Sequence, residues 1–262
     1  MKEIRKALMQ FDREAPLEAR VALLERFTDA LLERQPSEGT PDLDESWQDH
    51  APDFLLRLMR KKGSTWQTLV GFHSLLASPL PVEGGIAFCA ESQGCHYWGF
   101  RQSSAEADPM VCFFGKQKSP RPKLKGLDIL RYLRELAWYD SKQPGPPPPR
   151  DESRLSEFLF QLLVFEAAYL APYNRGLIRA APEVISAMLE GFQALPLAPW
   201  SWPAHPSRFY QSDSAFAFAT TYDDGTLNLT LGFDDEAGLR QFEAAHPGIE
   251  WDSVMDPEAK GA

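Results

Sequence analysis

The sequence predicts an α+β fold in which helices cover a central, mostly antiparallel sheet. Residues 3–35 carry apolar side chains at helical spacing, which is typical of amphipathic helices. The middle of the chain changes to short runs of aromatic and β-branched residues, which favour strands. Near the end, Asp223-Asp224-Gly225 separates two apolar runs and indicates a hairpin.

The first 45 residues are predicted to form a helical N-terminal extension. Ile4, Leu8 and Phe11 mark one apolar face, and a second helix restarts after Pro16. The segment from Pro36 to Glu45 is polar and contains proline, so we interpret it as a linker. The α+β domain is then predicted over residues 46–262.

Within that domain the elements alternate between helices and strands. The strongest helix signal runs from Leu155 to Tyr169 and ends before Pro172. In the last segment, a hairpin of residues 214–232 precedes a helix that Asp234 is expected to cap. The other predicted helices are Asp53–Lys62, Leu127–Tyr139 and Pro182–Leu195; the predicted strands of the middle region are Ile86–Ala90, His96–Phe100 and Met110–Phe114.

The composition is that of a folded, acidic protein. Of the 262 residues, 27 are Lys or Arg and 37 are Asp or Glu, so the formal charge is −10, and 44% are hydrophobic. These values exclude global disorder and disfavour nonspecific nucleic-acid binding as the main role. The N-terminus has no apolar run typical of a secretory signal, and the most apolar stretch, 155–172, is interrupted by polar residues. We therefore expect a cytoplasmic protein without membrane contact.

The sequence offers no recognisable catalytic, metal or cofactor set. Cys95 and His96 are neighbours, but neighbours on a strand point to opposite faces. Cys89 and Cys112 have no paired spacing with Cys95, the five histidines are scattered, and no glycine-rich phosphate loop is present. We expect neither a metal nor a cofactor. Glu166 lies on or beside the apolar face of its helix, so it is either a pocket acid or base, or a partner in a structural hydrogen bond.

The C-terminal segment carries most of the net charge. Residues 223–262 contain ten acidic side chains against Arg240 and Lys260, which gives −8 of the total −10. Such polarity favours steering toward a charged protein partner. The alternative role of these acids is turn and helix-cap chemistry. The candidate partner-binding residues, which could mimic phosphate at a basic cleft, are Asp223, Asp224, Asp234, Asp235 and Glu236.

Several short motifs resemble those of the SUKH superfamily, over roughly residues 52–173. Bacterial members of that superfamily are largely immunity proteins against polymorphic toxins, and a yeast regulator of cell-wall synthesis is a relative. The chain departs from the family pattern at Ser92, Met110 and Phe165. The motifs are Glu91-Ser92-Gln93-Gly94, Tyr97-Trp98-Gly99, Asp108-Pro109-Met110-Val111, Leu155-Ser156-Glu157-Phe158-Leu159 and Phe165-Glu166-Ala167-Ala168.

The residues that carry this resemblance suit a role in folding more than in chemistry. Gln93 and Gly94 can turn the chain between two strands. Trp98 is expected to pack between the sheet and the helix that carries Phe158 and Glu166. The resemblance implies a non-catalytic immunity protein that binds and neutralises a cognate toxin. Two alternatives remain open: a regulatory scaffold that binds a cellular protein, and an enzyme that uses Glu166 or Cys95.

Overall fold

The fold contains two antiparallel sheets and six α-helices in the part of the chain that the structure describes. This confirms the α+β class, although the sequence predicted one sheet. Gln93, Gly94, Cys95 and the helix predicted at Leu127–Tyr139 lie outside the described residues. A computed structural model describes residues 1–32, 44–62, 73–91, 96–101, 106–116, 150–201 and 205–255.

Six helices and twelve strands are described, together with a 3-10 helix at Glu45–Asp49. The helices are α1 (Lys2–Met9), α2 (Leu17–Leu32), α3 (Asp53–Lys62), α4 (Leu155–Tyr169), α5 (Pro182–Met188) and α6 (Glu236–Ala245). The first sheet contains β1 (His73–Val82), β2 (Gly85–Glu91), β3 (His96–Arg101), β4 (Met110–Lys116) and β5 (Arg150–Arg154). The second contains β6 (Tyr173–Ala180), β7 (Gln193–Ala194), β8 (Trp200–Ser201), β9 (Pro206–Gln211), β10 (Ala215–Thr221), β11 (Leu227–Phe233) and β12 (Ser253–Met255).

The five-stranded sheet follows chain order, β1-β2-β3-β4-β5, and the seven-stranded sheet has the order β12-β6-β11-β10-β9-β7, with β8 paired to β9. The predicted hairpin is present, since Thr221 pairs with Leu227 across the turn. Gly225 in that turn has φ +81°, a conformation that glycine adopts without a steric cost. The edge strand β1 escaped sequence analysis because it contains Pro79 and Pro81, which are tolerated at sheet edges.

Helix α4 is the centre of the fold. Thirteen of its fifteen residues are buried, and it contacts strands of both sheets. A helix that is apolar on nearly all sides requires cover on all sides, and a position between two sheets supplies it. Trp98 of the first sheet packs on Phe158 of α4, with ring centroids 6.2 Å apart, and both side chains are fully buried.

The N-terminal helices belong to the same core. Leu8 and Phe27 are fully buried in the apolar cluster that contains α4, and the rings of Phe11 and Phe160 lie 4.8 Å apart. Arg5 of α1 is also buried and forms a two-pronged ion pair with Asp234, at the other end of the sequence. The described helices of the predicted N-terminal extension thus pack into the same core as α4.

Other element ends differ from the prediction. Helix α5 ends at Met188 instead of Leu195, because the chain turns at Gly191, with φ +83°, and enters β7. The N-cap of α6 is Asp235, whose side chain accepts from the Gly238 N–H, and not Asp234. The Asp234 side chain instead forms an ion pair with Arg5, which is a tertiary contact.

Replacing Gly232 of β11 with alanine is expected to destabilise the protein. A Cβ at this position would lie 2.2 Å from the carbonyl oxygen of Ala168, so α4 could no longer approach the sheet as closely. We expect Gly232→Ala to lower the free energy of unfolding by about 2 kcal/mol, measured by urea denaturation. Ala237→Ser, on the exposed side of α6, is the control and should change it by less than about 0.5 kcal/mol. Equal stability of the two variants would contradict the close approach.

Candidate functional site

Glu166 and His73 form a buried acid–histidine pair between α4 and β1. His73 Nδ1 lies 2.6 Å from Glu166 Oε1, and the backbone N–H of His73 donates to the same oxygen at 3.1 Å. The side chains of His73 and Glu166 are 0% and 1% exposed. The carboxylate therefore holds the first described residue of an edge strand against the central helix, through both its backbone and its side chain.

Aromatic rings close off this pair from solvent. The imidazole of His73 packs against Trp98 and Trp200, each at a centroid distance of 5.3 Å, and against Phe165 at 5.2 Å. Trp200 belongs to the seven-stranded sheet and Trp98 to the five-stranded one, so the two sheets meet around the imidazole. The pair is not in the lining of the cleft between α1 and α6 or of the cleft between α2 and α3.

This geometry suits a structural role better than general acid–base catalysis. A catalytic base must come within hydrogen-bond reach of its substrate, directly or through one water. Sequence analysis left open an enzyme in which Glu166 meets a histidine in a pocket; the histidine is present, but the two side chains are 0% and 1% exposed. Cys95, the other residue of that alternative, lies outside the described residues.

The two described cysteines are poor nucleophiles. Burial raises the pKa of the Cys89 thiol well above its usual value, and the nearby negative charge of Glu166 raises it further. Burial, and then the hydrogen bond to Asp151, raises the pKa of Cys112 to about 11. Since the thiolate is the reactive form, both side chains are inert at neutral pH.

The described residues contain no group of three or more His, Cys, Asp or Glu side chains arranged to hold a metal ion. No described helix combines the length and apolarity needed to cross a membrane.

The five candidate acidic residues fall into two groups at opposite ends of β11, which are about 20 Å apart for a strand of this length. Asp223 and Asp224 lie in the β10–β11 turn, and Asp234, Asp235 and Glu236 lie at the start of α6.

The three acids near α6 each have a structural partner. Asp234 binds Arg5 and Asp235 caps the helix, while Glu236 pairs with Arg240 one turn later. Cap chemistry thus accounts for Asp235, a tertiary ion pair for Asp234 and a pair within the helix for Glu236. The turn group is more open: the side chain of Asp223 is 99% exposed and that of Asp224 is 56% exposed.

Next to that turn lies a cluster that sequence analysis did not find, the Arg179 surface, formed by Ile178, Arg179, Tyr222 and Asp224. The guanidinium of Arg179 stacks over the Tyr222 ring at 3.8 Å and pairs with Asp224 at 2.6 Å. Hydrogen bonds from Thr226, with the Arg179 charge, hold the pKa of Asp224 below its usual value. Two attachments, to a ring and to a carboxylate, hold a side chain that is half exposed.

The backbone at Arg179 adopts the left-handed conformation, with φ +57°, and it is the only non-glycine residue to do so in the described part of the chain. The strand pairing of β6 with β11 is irregular at this point, between Leu227 and Leu229. The Arg179 N–H donates to Asn228 Oδ1 at 2.8 Å, which secures the irregularity. A bulge of this kind leaves no signal in a sequence that reads as an ordinary strand.

Two exposed apolar side chains occur near Arg179 in the sequence, one within the Arg179 surface and one in α5. The side chain of Ile178 is 58% exposed, and Val184 in the first turn of α5 is 38% exposed. These are two of the three large apolar side chains that are exposed among the described residues. Exposed apolar groups beside a fixed arginine and tyrosine form the residue combination found at the centre of protein interfaces.

Comparisons with known proteins found no relative: no family model matches the sequence, and no similar curated protein or solved structure was found. The resemblance to the SUKH superfamily therefore stays a prediction from its motifs. Of the residues in those motifs that the structure describes, Trp98, Phe158 and Glu166 lie in the core, whereas Met110 is exposed.

Removing the Glu166 carboxylate is expected to destabilise the fold strongly. Glu166→Ala leaves the His73 N–H and imidazole buried without this acceptor, so we expect a loss of about 3 kcal/mol in urea denaturation. Glu166→Gln keeps an acceptor of the same shape and should lose less. Glu14→Ala, at an exposed position, is the control. A loss below about 0.5 kcal/mol in Glu166→Ala would contradict the structural role.

The thiols of Cys89 and Cys112 are expected to resist alkylation in the native protein. In a Cys95→Ser background, iodoacetamide at pH 8 should modify neither thiol until guanidinium chloride unfolds the chain, as followed by mass spectrometry. A pKa of about 11 leaves about one Cys112 thiol in a thousand ionised at that pH. Because the folded state retains these protons more tightly than the unfolded state, stability should fall as the pH rises above about 8.5. Rapid stoichiometric labelling of the native protein would contradict the burial of both thiols.

Proposed function

We propose that this chain is a non-catalytic protein-binding module and that the Arg179 surface contacts its partner. The observation that carries the proposal is the fixed, half-exposed guanidinium of Arg179 over Tyr222, beside the exposed side chain of Ile178. The acid–histidine pair supports the non-catalytic part, because both side chains are sealed in the core.

Preorganisation is the physical advantage of this surface. A free arginine loses much rotamer entropy when a partner immobilises it, which weakens binding. Here the Tyr222 ring and the Asp224 carboxylate already hold the side chain. The left-handed backbone costs on the order of 1 kcal/mol or more, and such strain persists where surrounding contacts enforce it.

Of the five acidic residues expected to bind a partner, the proposal keeps only the two in the turn, Asp223 and Asp224. Asp224 positions Arg179, and Asp223 projects into solvent beside it. Their charges can steer a basic partner toward the surface and affect mainly the association rate. Asp234 and Asp235 are engaged in structural contacts and are better explained by them.

The finer proposal follows the SUKH resemblance: the partner is a cognate protein toxin, and the chain is an immunity protein that neutralises it by covering its active surface in the cytoplasm. An alternative with the same surface is a regulatory scaffold for a cellular protein. The two proposals predict different effects of the partner in the absence of this chain: a toxin stops growth, whereas a regulated cellular protein does not.

The binding surface can be tested by affinity capture from a lysate of the source cells. Arg179→Gly removes the side chain and relieves the backbone strain, so the fold should persist while retention of the partner falls at least ten-fold. Arg240→Ala, an exposed arginine with its own carboxylate partner, is the matched control and should retain the partner fully. Equal retention by both variants would contradict the surface, and no retained partner at all would contradict the binding module.

The toxin partner can be tested by expression of the retained protein in bacteria. An immunity protein predicts that the partner stops growth when expressed alone, and that co-expression of this chain restores growth but co-expression of the Arg179→Gly variant does not. Normal growth with the partner alone would contradict the immunity proposal and favour the regulatory scaffold.

A further inference from the structure

A cleft of about 830 Å³ separates α1 from α6. Its two long walls are these helices, and its ends are closed by the chain after α5 and by the β9–β10 turn. The volume falls within the range of about 300–1,000 Å³ that is typical of ligand clefts. It shares no residue with the Arg179 surface.

The floor of the cleft holds two polar atoms without a partner in the described part of the chain. Arg5 and Gln211 both line the cleft, and both side chains belong to buried residues, 3% and 4% exposed. Arg5 Nε and Gln211 Oε1 make no hydrogen bond there. A buried donor or acceptor that stays unsatisfied costs about 1–3 kcal/mol, so a ligand that satisfies both gains that energy.

The two atoms are chemically complementary to an amide. Arg5 Nε carries a hydrogen to donate, and Gln211 Oε1 offers a lone pair. The two residues are also tied together, since Gln211 Nε2 donates to the backbone carbonyl of Arg5 at 2.8 Å. A ligand that accepts from the first and donates to the second must carry both functions, as a primary amide does, or as the C=O and N–H of two different peptide groups do.

One wall of the cleft is aromatic. Phe192 and Phe242 meet edge to face with centroids 6.1 Å apart, and His246 lies 4.5 Å from Phe242. All three side chains are partly exposed. This wall suits an apolar or aromatic side chain.

The charges around the cleft balance. Three cationic and three anionic side chains line it, so their net charge is zero and an ionic ligand has no advantage from them. The cationic residues are Lys2, Arg5 and Lys6, and the anionic residues are Glu3, Glu190 and Asp213.

We propose that the α1–α6 cleft binds an uncharged peptide segment, with an apolar side chain against Phe192 and Phe242 and amide C=O and N–H groups over Arg5 and Gln211. The inference deepens the proposed function, on which it rests for the source of the peptide, a loop of the protein partner. The proposed binding of an uncharged amide in the cleft does not depend on which protein supplies the peptide.

Binding requires a small movement of the floor. Arg5 Nε and Gln211 Oε1 lie beneath the surface of the cleft, with almost no exposure. The rest of the Arg5 guanidinium stays fixed by Asp234 and by the carbonyl of Asp213. A ligand therefore reaches the two atoms only after α1 moves away from them; backbone shifts at interfaces are commonly about 1 Å or less.

The test is titration of the purified, full chain with N-acetylphenylalaninamide, followed by two-dimensional NMR. We expect saturable shifts at Phe192, Gln241 and Phe242. Ala245→Trp fills the cleft from α6 and should weaken binding at least ten-fold, whereas Ala244→Trp, exposed on the same helix and not in the cleft lining, should leave it unchanged. Equal effects of the two tryptophans, or shifts elsewhere, would overturn the proposal.

A second probe tests the ligand class. N-acetylphenylalanine lacks the terminal N–H donor and carries a negative charge, so it should bind at least five-fold more weakly than the amide. Tighter binding of the acid would overturn the neutral-amide proposal and indicate an anion site. Arg179→Gly should not change either affinity. If the amide binds in the cleft but no protein partner is retained in the capture experiment, the proposed function fails while the chemistry of the cleft holds.

Discussion

The burial of α4 between two sheets is the constraint on which the rest of the structure depends. Because nearly every face of this helix is covered, each of its polar side chains needs a partner inside the fold. Those partners come from distant parts of the chain: Glu166 binds His73, Glu157 accepts from the Ala198 N–H, and Ser156 binds Asp108. The polar residues of α4 thus act as attachment points for the elements around it, and they specify which strand and which loop lie at each position.

This constraint also explains why an acid and a histidine within hydrogen-bond distance need not form an active site. The chemistry of such a pair depends on access, and here three aromatic rings surround the imidazole. The same burial that makes the pair valuable for stability separates it from any substrate. Function is therefore better sought at positions where the fold holds side chains rigidly at the surface, as it does at Arg179.

The N-terminal helices and the C-terminal segment depend on each other. Arg5 forms an ion pair with Asp234, and Gln211 donates a hydrogen bond to the backbone carbonyl of Arg5. These contacts attach the N-terminal helix α1 to the seven-stranded sheet and to the residue before α6. Two consequences follow. Asp234 is occupied by a structural contact, and a cleft with balanced charge forms between α1 and α6. Both features require α1 to pack next to the C-terminal segment.

The sequence by itself determined the elements whose signal is local. Helix α4 and the β10–β11 hairpin follow from hydrophobic spacing and turn residues, and the buried position of Glu166 follows from its place on the helix. Only the tertiary structure decided that there are two sheets, that α1 and α2 join the main core, and that Asp235 caps α6 in place of Asp234. It alone also brought His73 to Glu166, 93 positions away, and formed the bulge at Arg179. The physical reason is that these features arise from contacts between segments that are distant in sequence. The energies of those contacts depend on which surfaces pack together, and local propensity does not contain that information.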